Sequence, residues 1–139
     1  MNFNNKKTRL CAIALFIYIV VLFFWGVWNR DSHATSTMKL DLFWGYSNPP
    51  EYIYRDNLLN IISFIPIGLL TGIISPKLRV LNALLVGLLV SLVIECSQLT
   101  LKRGVFDVDD LFNNSVGALI GGAIVWFTTI GSRLRANYG

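Results

Sequence analysis

The chain has 139 residues, of which 54% are hydrophobic and 14% charged, and its formal net charge is +4. Soluble domains carry nearer a quarter charged residues, so this composition excludes an ordinary soluble domain. The basic residues flank apolar segments instead of forming one patch, which argues against a nucleic-acid partner and indicates contacts with lipid headgroups.

Four apolar segments are long enough to cross a bilayer. They predict an all-α fold, an integral membrane bundle of four transmembrane helices over residues 10–28, 57–75, 80–99 and 111–130. Residues 29–56 form the long loop of this single predicted domain, 1–139. Because the later connections are short, segments two to four should pack together as neighbours.

The basic residues near the segment ends predict the orientation. Lys6, Lys7 and Arg9 precede the first segment, without an acidic residue beside them. The same side of the membrane would hold four further basic residues near the segment ends, Lys77, Arg79, Arg133 and Arg135. We therefore expect an N-in, C-in topology with the long loop outside.

Aromatic residues in this loop surround Asn48-Pro49-Pro50: Phe43, Trp44, Tyr46, Tyr52 and Tyr54. Two interpretations remain open. The loop either anchors the protein at the headgroup level, where such rings accumulate, or it covers a site.

Polar side chains at membrane depth are the strongest functional signal, because they are costly there without partners. Glu95 and Gln98 share one helical face near the outer end of segment three. Asn57 and Asn60 have the same spacing at the outer start of segment two.

Segment four completes this pattern with Asp110, Asn114, Gly117 and Gly121 on one face. With the N-terminus inside, the polar faces of three helices lie at one depth in the outer leaflet. The simplest arrangement is a shared polar pocket that opens outward, with Arg103 and Asp107 contributed by the hinge between segments three and four. Asp109 and Asn113 should point away from it.

Structural roles are possible for several of these residues. Asn57 and Asn60 could have the purely structural role of hydrogen-bonding neighbouring helices to each other. Asp110 or Asp109 could cap segment four. Glu95 could form an ion pair with Arg103, although a ligand-facing or proton-carrying role explains its depth better. The glycine pairs Gly68/Gly72 and Gly117/Gly121 indicate close helix packing.

No nucleotide, redox or hydrolase motif is present, so we expect no cofactor. A cation held by Glu95, Asp107 and Asp110 is chemically possible, but the spacing gives it little support, and we expect no metal site.

Two blocks of residues resemble the VanZ-like family. Asn60, Phe64, Pro66 and Gly68 resemble its N-xxx-F-x-P-x-G signature. The second block resembles E-xx-Q, then R, then D-xx-DL-xx-N-xx-G-xxx-G, and is carried by Glu95, Gln98, Arg103, Asp107, Asp110, Leu111, Asn114, Gly117 and Gly121. In one departure, Gly104 follows the arginine, whereas members often carry a glycine before it. Lys102 is therefore an alternative to Arg103.

The resemblance implies a multi-pass protein of the bacterial cytoplasmic membrane, linked to teicoplanin and lipoglycopeptide resistance or to envelope physiology. It implies no particular reaction.

Two function classes follow. In the first, the pocket binds an amphiphilic envelope ligand: a lipid headgroup, a lipid-linked wall precursor or a lipoglycopeptide. Its binding residues would be Asn57, Asn60, Glu95, Gln98, Arg103, Asp107, Asp110 and Asn114. Arg103 would contact phosphate or carboxylate, and Asp107 would orient it. In the second, the protein is an intramembrane hydrolase or transferase acting on a lipid-linked substrate, with Glu95 as general acid or base and Asp110 as its partner.

Overall fold

A computed structural model describes residues 6–29, 37–43, 46 and 51–138, with side chains described outside 51–53 and 132–138. Four helices account for most of this part of the chain, and all four are long and apolar enough to cross a membrane. Helices suit that environment because each one satisfies its backbone hydrogen bonds internally. The predicted all-α membrane bundle is therefore confirmed.

Each helix extends beyond its predicted apolar segment at one end or both. The helices are α1 (Lys6–Trp28), α2 (Glu51–Ile74), α3 (Arg79–Thr100) and α4 (Val108–Tyr138). The apolar segments mark what can lie in hydrocarbon, whereas a helix can continue through polar residues in the headgroup region. The basic flank before residue 10 and the polar turns before residues 57 and 111 are such continuations.

Glycines bring α4 against its neighbours at backbone distance. A Cβ atom on Gly117 would lie 2.1 Å from the carbonyl oxygen of Ile61, and one on Gly68 would lie 2.0 Å from that of Ala118. Both distances are far below van der Waals contact, so no side chain fits there. The packing role predicted for these glycines is confirmed, and it fixes α2 and α4 closely side by side.

The core lies between α2 and α3 and is covered on one side by α1. Phe64, Ile67 and Ile94 form the buried apolar cluster, against which side chains of α1 such as Leu22 pack. Val27 is the one buried residue of α1, so this helix is peripheral. The hydroxyl of Tyr18 donates a hydrogen bond to the carbonyl oxygen of Ser63, 2.8 Å away, which ties α1 to α2.

Two short strands pair next to the helix ends and were not predicted. Strand β1 (Thr37–Lys39) lies in the long loop, and β2 (Val105–Asp107) lies in the hinge between α3 and α4. They pair in parallel, with Met38 opposite Phe106. The pairing attaches the long loop to the hinge that leads into α4.

The end of α3 forms a Schellman turn. The backbone N–H groups of Lys102 and Arg103 donate to the carbonyl oxygens of Leu99 and Gln98, at 3.3 and 2.9 Å. These bonds satisfy two of the last carbonyl groups of the helix. The turn places Lys102 at a φ of 54°, in the left-handed region.

Candidate functional site

A cavity of about 270 Å³ lies at the end of the bundle where α1 and α3 end and α2 and α4 begin. We call this end of the bundle the acidic end. Asn29 and Asp56, which are exposed, belong to the cavity lining, so the cavity reaches the surface. Five of the eight predicted site residues also line it: Asn60, Glu95, Gln98, Asp110 and Asn114.

Two hydrogen bonds orient the side chains of α4 in the cavity. Asn60 of α2 donates its amide to Asp110, with 2.6 Å between the Nδ2 and Oδ1 atoms. The amide of Asn114 bonds the hydroxyl of Ser91 on α3, 2.8 Å away. Asp110 thus connects α4 to α2, and Asn114, one helical turn further along, connects α4 to α3.

Glu95 and Gln98 are the most deeply buried polar residues of the cavity, each 1% exposed. The Oε2 atom of Glu95 accepts a hydrogen bond from the backbone N–H of Asp107 at 3.0 Å. Gln98 donates through its Nε2 atom to the carbonyl oxygen of Gly26, 2.8 Å away. The hinge and α1 therefore hold these two side chains in place.

Three predicted site residues are absent from the cavity lining. Asn57 is buried, and its amide nitrogen has no hydrogen-bond partner among the residues that the structure describes. The guanidinium carbon of Arg103 lies 5.6 Å from the centre of the Trp28 ring, in a cation–π contact at the end of α1.

Asp107 acts differently from the prediction. Its carboxylate accepts the backbone N–H of Asp109 at 2.9 Å, the arrangement of an N-cap residue at the start of α4. The capping role considered for Asp110 or Asp109 thus belongs to Asp107, the residue that directly precedes the first residue of α4.

Asp109 and Asn113 do not line the cavity but hold the long loop. Asp109 accepts the backbone N–H of Phe43 at 2.5 Å, where Phe43 has a φ of 66°. The hydroxyl of Tyr46 donates to Oδ1 of Asn113 at 2.5 Å. Burial, reinforced by the charges of Asp109 and Asp110, raises the pKa of Tyr46 above its ordinary value, so it remains a donor at neutral pH.

These contacts place the described part of the loop against the start of α4, next to the cavity. The other residues on which the loop prediction depended, Trp44, Asn48, Pro49, Pro50 and Tyr52, lie outside the residues or side chains that the structure describes.

The sequence interpretation missed the contribution of α1. Trp25, Gly26 and Asn29 line the cavity, although the site was expected from segments two to four alone. A glycine and an asparagine at the end of an otherwise large apolar segment were the available signals. Ser91 was also missed, although it lies one helical turn before Glu95 on the same face.

The lining of the cavity is rich in hydrogen-bond acceptors. It contains the carboxylates of Asp56, Glu95 and Asp110 and no lysine or arginine among the residues described. The Oδ1 atom of Asn114 is buried and accepts no hydrogen bond from the described part of the chain. No group of three His, Cys, Asp or Glu side chains within the described residues could hold a metal ion. The arrangement favours a group that donates hydrogen bonds.

Four membrane-spanning helices with polar side chains directed into one cavity define a multi-pass helical membrane protein. A sequence model of the VanZ/LLP1 family matches residues 10–129, and the chain belongs to that family. The resemblance seen in its two motif blocks is thereby confirmed. No curated protein and no solved structure matches the chain.

Proposed function

We propose that the cavity at the acidic end binds the polar part of an amphiphilic envelope ligand. A lipid headgroup, a lipid-linked wall precursor and a lipoglycopeptide are the ligands of this class. We further propose that the protein lies in a bacterial cytoplasmic membrane with both termini inside, so that the cavity opens outward. This function would underlie the glycopeptide resistance or envelope role that the VanZ resemblance implies. The observation that carries the proposal is the convergence of Asn60, Glu95, Gln98, Asp110 and Asn114 on one cavity that reaches the surface.

The size of the cavity limits what can enter it. A volume of about 270 Å³ equals that of about nine water molecules at ~30 Å³ each. One sugar ring or a short peptide unit fits this space, whereas a whole lipoglycopeptide does not. The ligand therefore inserts one polar group, and its larger or apolar part remains outside the cavity.

The charge of the cavity lining determines which chemical groups of a ligand can bind inside it. Because the lining is acidic and rich in acceptors, a phosphate inside it would be repelled, whereas hydroxyl, amide N–H or ammonium groups would be bound. Arg103 lies outside the lining, on the ring of Trp28, where it can meet a phosphate or carboxylate on the part of the ligand that does not enter. This division fits a headgroup with a sugar or amino unit next to an anionic linkage.

Direct binding to the purified full chain tests the proposal. Trp25 lines the cavity and Trp28 contacts Arg103, so tryptophan fluorescence should report an occupant. We would titrate the protein in neutral detergent with teicoplanin and, separately, with an undecaprenyl-linked disaccharide peptide precursor. Glu95→Gln keeps the shape of the side chain and removes its charge, and we expect it to weaken binding about 10-fold or more while the protein still accumulates in the membrane.

Asp41→Asn is the matched control, because it removes an exposed carboxylate outside the cavity. It should leave the affinity within about 2-fold of the original. Equal affinities for the two variants would contradict the proposal. Loss of membrane accumulation in Glu95→Gln would assign the glutamate a structural role instead.

A second function is favoured by one observation: Glu95 and Asp110 line the same cavity. A pair of carboxylates can act as general acid and base in hydrolysis or group transfer on a lipid-linked substrate. Incubation of the purified protein with the same precursor, followed by mass spectrometry, distinguishes the two functions. Product formed by the original chain and lost in Asp110→Asn would establish catalysis, and unchanged precursor would leave binding as the function.

A further inference from the structure

The end of the bundle opposite the cavity carries a groove of its own. The groove has a volume of about 570 Å³ and lies between the start of α1, the end of α2, the start of α3 and the later part of α4. Lys7 and Arg79 line it, together with apolar side chains that include Ile73, Ile74 and Val125. We call this end of the bundle the basic end.

No acidic residue among those that the structure describes lines the groove. All eight Asp and Glu residues of the chain lie in residues 31–56 and 95–110, far in sequence from the residues that form the groove. Lys7 and Arg79 come from helices far apart in the sequence, yet they line one groove. Their combined field therefore favours an anion there.

The backbone and the guanidinium group strengthen this preference. Arg79 donates through one nitrogen to the carbonyl oxygen of Gly72, 3.3 Å away, and a guanidinium group has five N–H donors in all. Leu78, which precedes α3, offers no side-chain hydrogen bond to the first N–H groups of that helix. The positive end of the α3 dipole thus lies beside Arg79.

The walls of the groove indicate the rest of the ligand. Ile73, Ile74 and Val125 are apolar and line the groove together with the two basic residues. Next to Val125, the aromatic side chains of Trp126 and Phe127 are exposed, as expected for residues at a lipid interface. A ligand that matches both parts has a phosphate at one end and hydrocarbon at the other.

We propose that this groove is a binding site for an anionic membrane phospholipid, whose phosphate lies between Lys7 and Arg79 and whose acyl chain follows the apolar wall. The site is separate from the cavity at the acidic end and does not depend on the function proposed for that cavity. Basic residues at helix ends also set topology, but topology alone requires no shared groove with an apolar wall.

Native mass spectrometry of the full chain in neutral detergent tests the site. The probes are dioctanoyl phosphatidylglycerol, dioctanoyl phosphatidylcholine and inorganic phosphate. We expect the phosphatidylglycerol to bind about 10-fold more tightly than the phosphatidylcholine, and Arg79→Gln and Lys7→Gln each to weaken it about 5-fold. Lys77→Gln is the matched control, because Lys77 is exposed in the same connection and does not line the groove; it should change the affinity less than about 2-fold.

Several outcomes would overturn the proposal. An equal effect of Lys77→Gln would show attraction to surface charge and no site. Equal binding of the two phospholipids would remove the role of the anionic charge. Inorganic phosphate that bound as tightly as the lipid, with the same loss in Lys7→Gln, would show a free phosphate as the ligand. If Arg79→Gln failed to fold, Lys7→Gln on the peripheral α1 would decide the question.

Discussion

The two ends of this bundle differ in charge, in packing and in what holds them together. At the acidic end, carboxylates and amides of α2, α3 and α4 line a cavity and are held by hydrogen bonds to one another, to the hinge, to Ser91 and to the backbone of α1. At the basic end, two cationic side chains border a larger groove with an apolar wall. The two proposed binding sites therefore lie at opposite ends of one bundle and differ in the charge of their linings.

The separation also explains why each end tolerates its charges. Buried carboxylates are stable only where donors reach them, and the backbone N–H of Asp107 and the amide of Asn60 provide such donors at the acidic end. The lysines and arginines at the basic end have long side chains whose charged groups can reach the headgroup region. Charged residues are thus positioned by two different physical means.

The orientation of the ends in the membrane is the prediction with the largest expected effect. We would introduce Lys102→Cys at the acidic end and Lys77→Cys at the basic end, each into a chain carrying Cys11→Ala and Cys96→Ala. Both lysines are exposed in short turns between helices, so they form a matched pair. An impermeant maleimide added to intact cells should label the first and spare the second.

Labelling of Lys77→Cys alone would reverse the topology and turn the cavity toward the cytoplasm. Positions near Ser47 in the long loop and near Ser132 in α4 would serve the same purpose, but they lie outside the residues or side chains that the structure describes.

The next largest effect concerns packing. Gly117→Leu should prevent the chain from folding, because the first added carbon would lie 2.1 Å from a backbone oxygen of α2. The cost should be about 3 kcal/mol or more. Gly131→Leu is the control on the same helix, since a Cβ atom there meets no described atom within 4 Å.

Size-exclusion chromatography after detergent extraction would measure the monodisperse fraction of each variant. Equal fractions for the two would show that α2 and α4 can move apart, and the close packing that shapes the cavity would then not be required.

A smaller effect is expected where the long loop meets α4. Tyr46→Phe removes the hydroxyl that donates to Asn113, which should cost about 0.5–1 kcal/mol and speed hydrogen exchange in residues 37–43 by about 2- to 5-fold. Tyr54→Phe removes an exposed hydroxyl at the start of α2 and is the control. Unchanged exchange in Tyr46→Phe would show that β1–β2 pairing alone holds the loop.

The pH dependence of this contact has a definite sign. The pKa of Tyr46 is raised in the folded protein above the ordinary value of 10.0. The contribution of its hydroxyl is therefore fully present below about pH 10 and is lost as the pH rises through the higher folded value. Loop exchange in the original chain should quicken in that alkaline range, and Tyr46→Phe should show no such step.

The sequence could predict the helices and five of the polar residues that line the cavity, because both depend on local periodicity. Apolar length identifies a membrane span, and spacings of three and four residues place Glu95 with Gln98 and Asp110 with Asn114 on shared faces. The two short connections then require segments two to four to be neighbours.

The remaining features depend on contacts between distant parts of the chain. Strand β1 pairs with β2 through backbone groups of Thr37–Lys39 and Val105–Asp107, and three-residue strands carry no recognisable pattern. The bond from Gln98 to Gly26 uses a carbonyl oxygen, which every residue possesses. Arg103 was expected beside Asp107, but its guanidinium lies on Trp28 of a helix that the sequence did not connect with the site.

The smallest predicted effect is a gain in stability at the turn after α3. Lys102 has a φ of 54° in the Schellman turn, a conformation that costs an L-residue about 1–2 kcal/mol. Lys102→Gly relieves the strain but adds about 0.5–1 kcal/mol of backbone entropy to the unfolded chain. We expect the free energy of unfolding, measured by thermal unfolding in detergent, to rise by about 0.5–1 kcal/mol.

Lys77→Gly is the control, in the corresponding turn at the basic end. No positive φ occurs there among the described non-glycine residues, so this substitution should lower stability or leave it unchanged. A loss of stability in Lys102→Gly would show that the lysine side chain stabilises this turn by more than the strained backbone of Lys102 destabilises it.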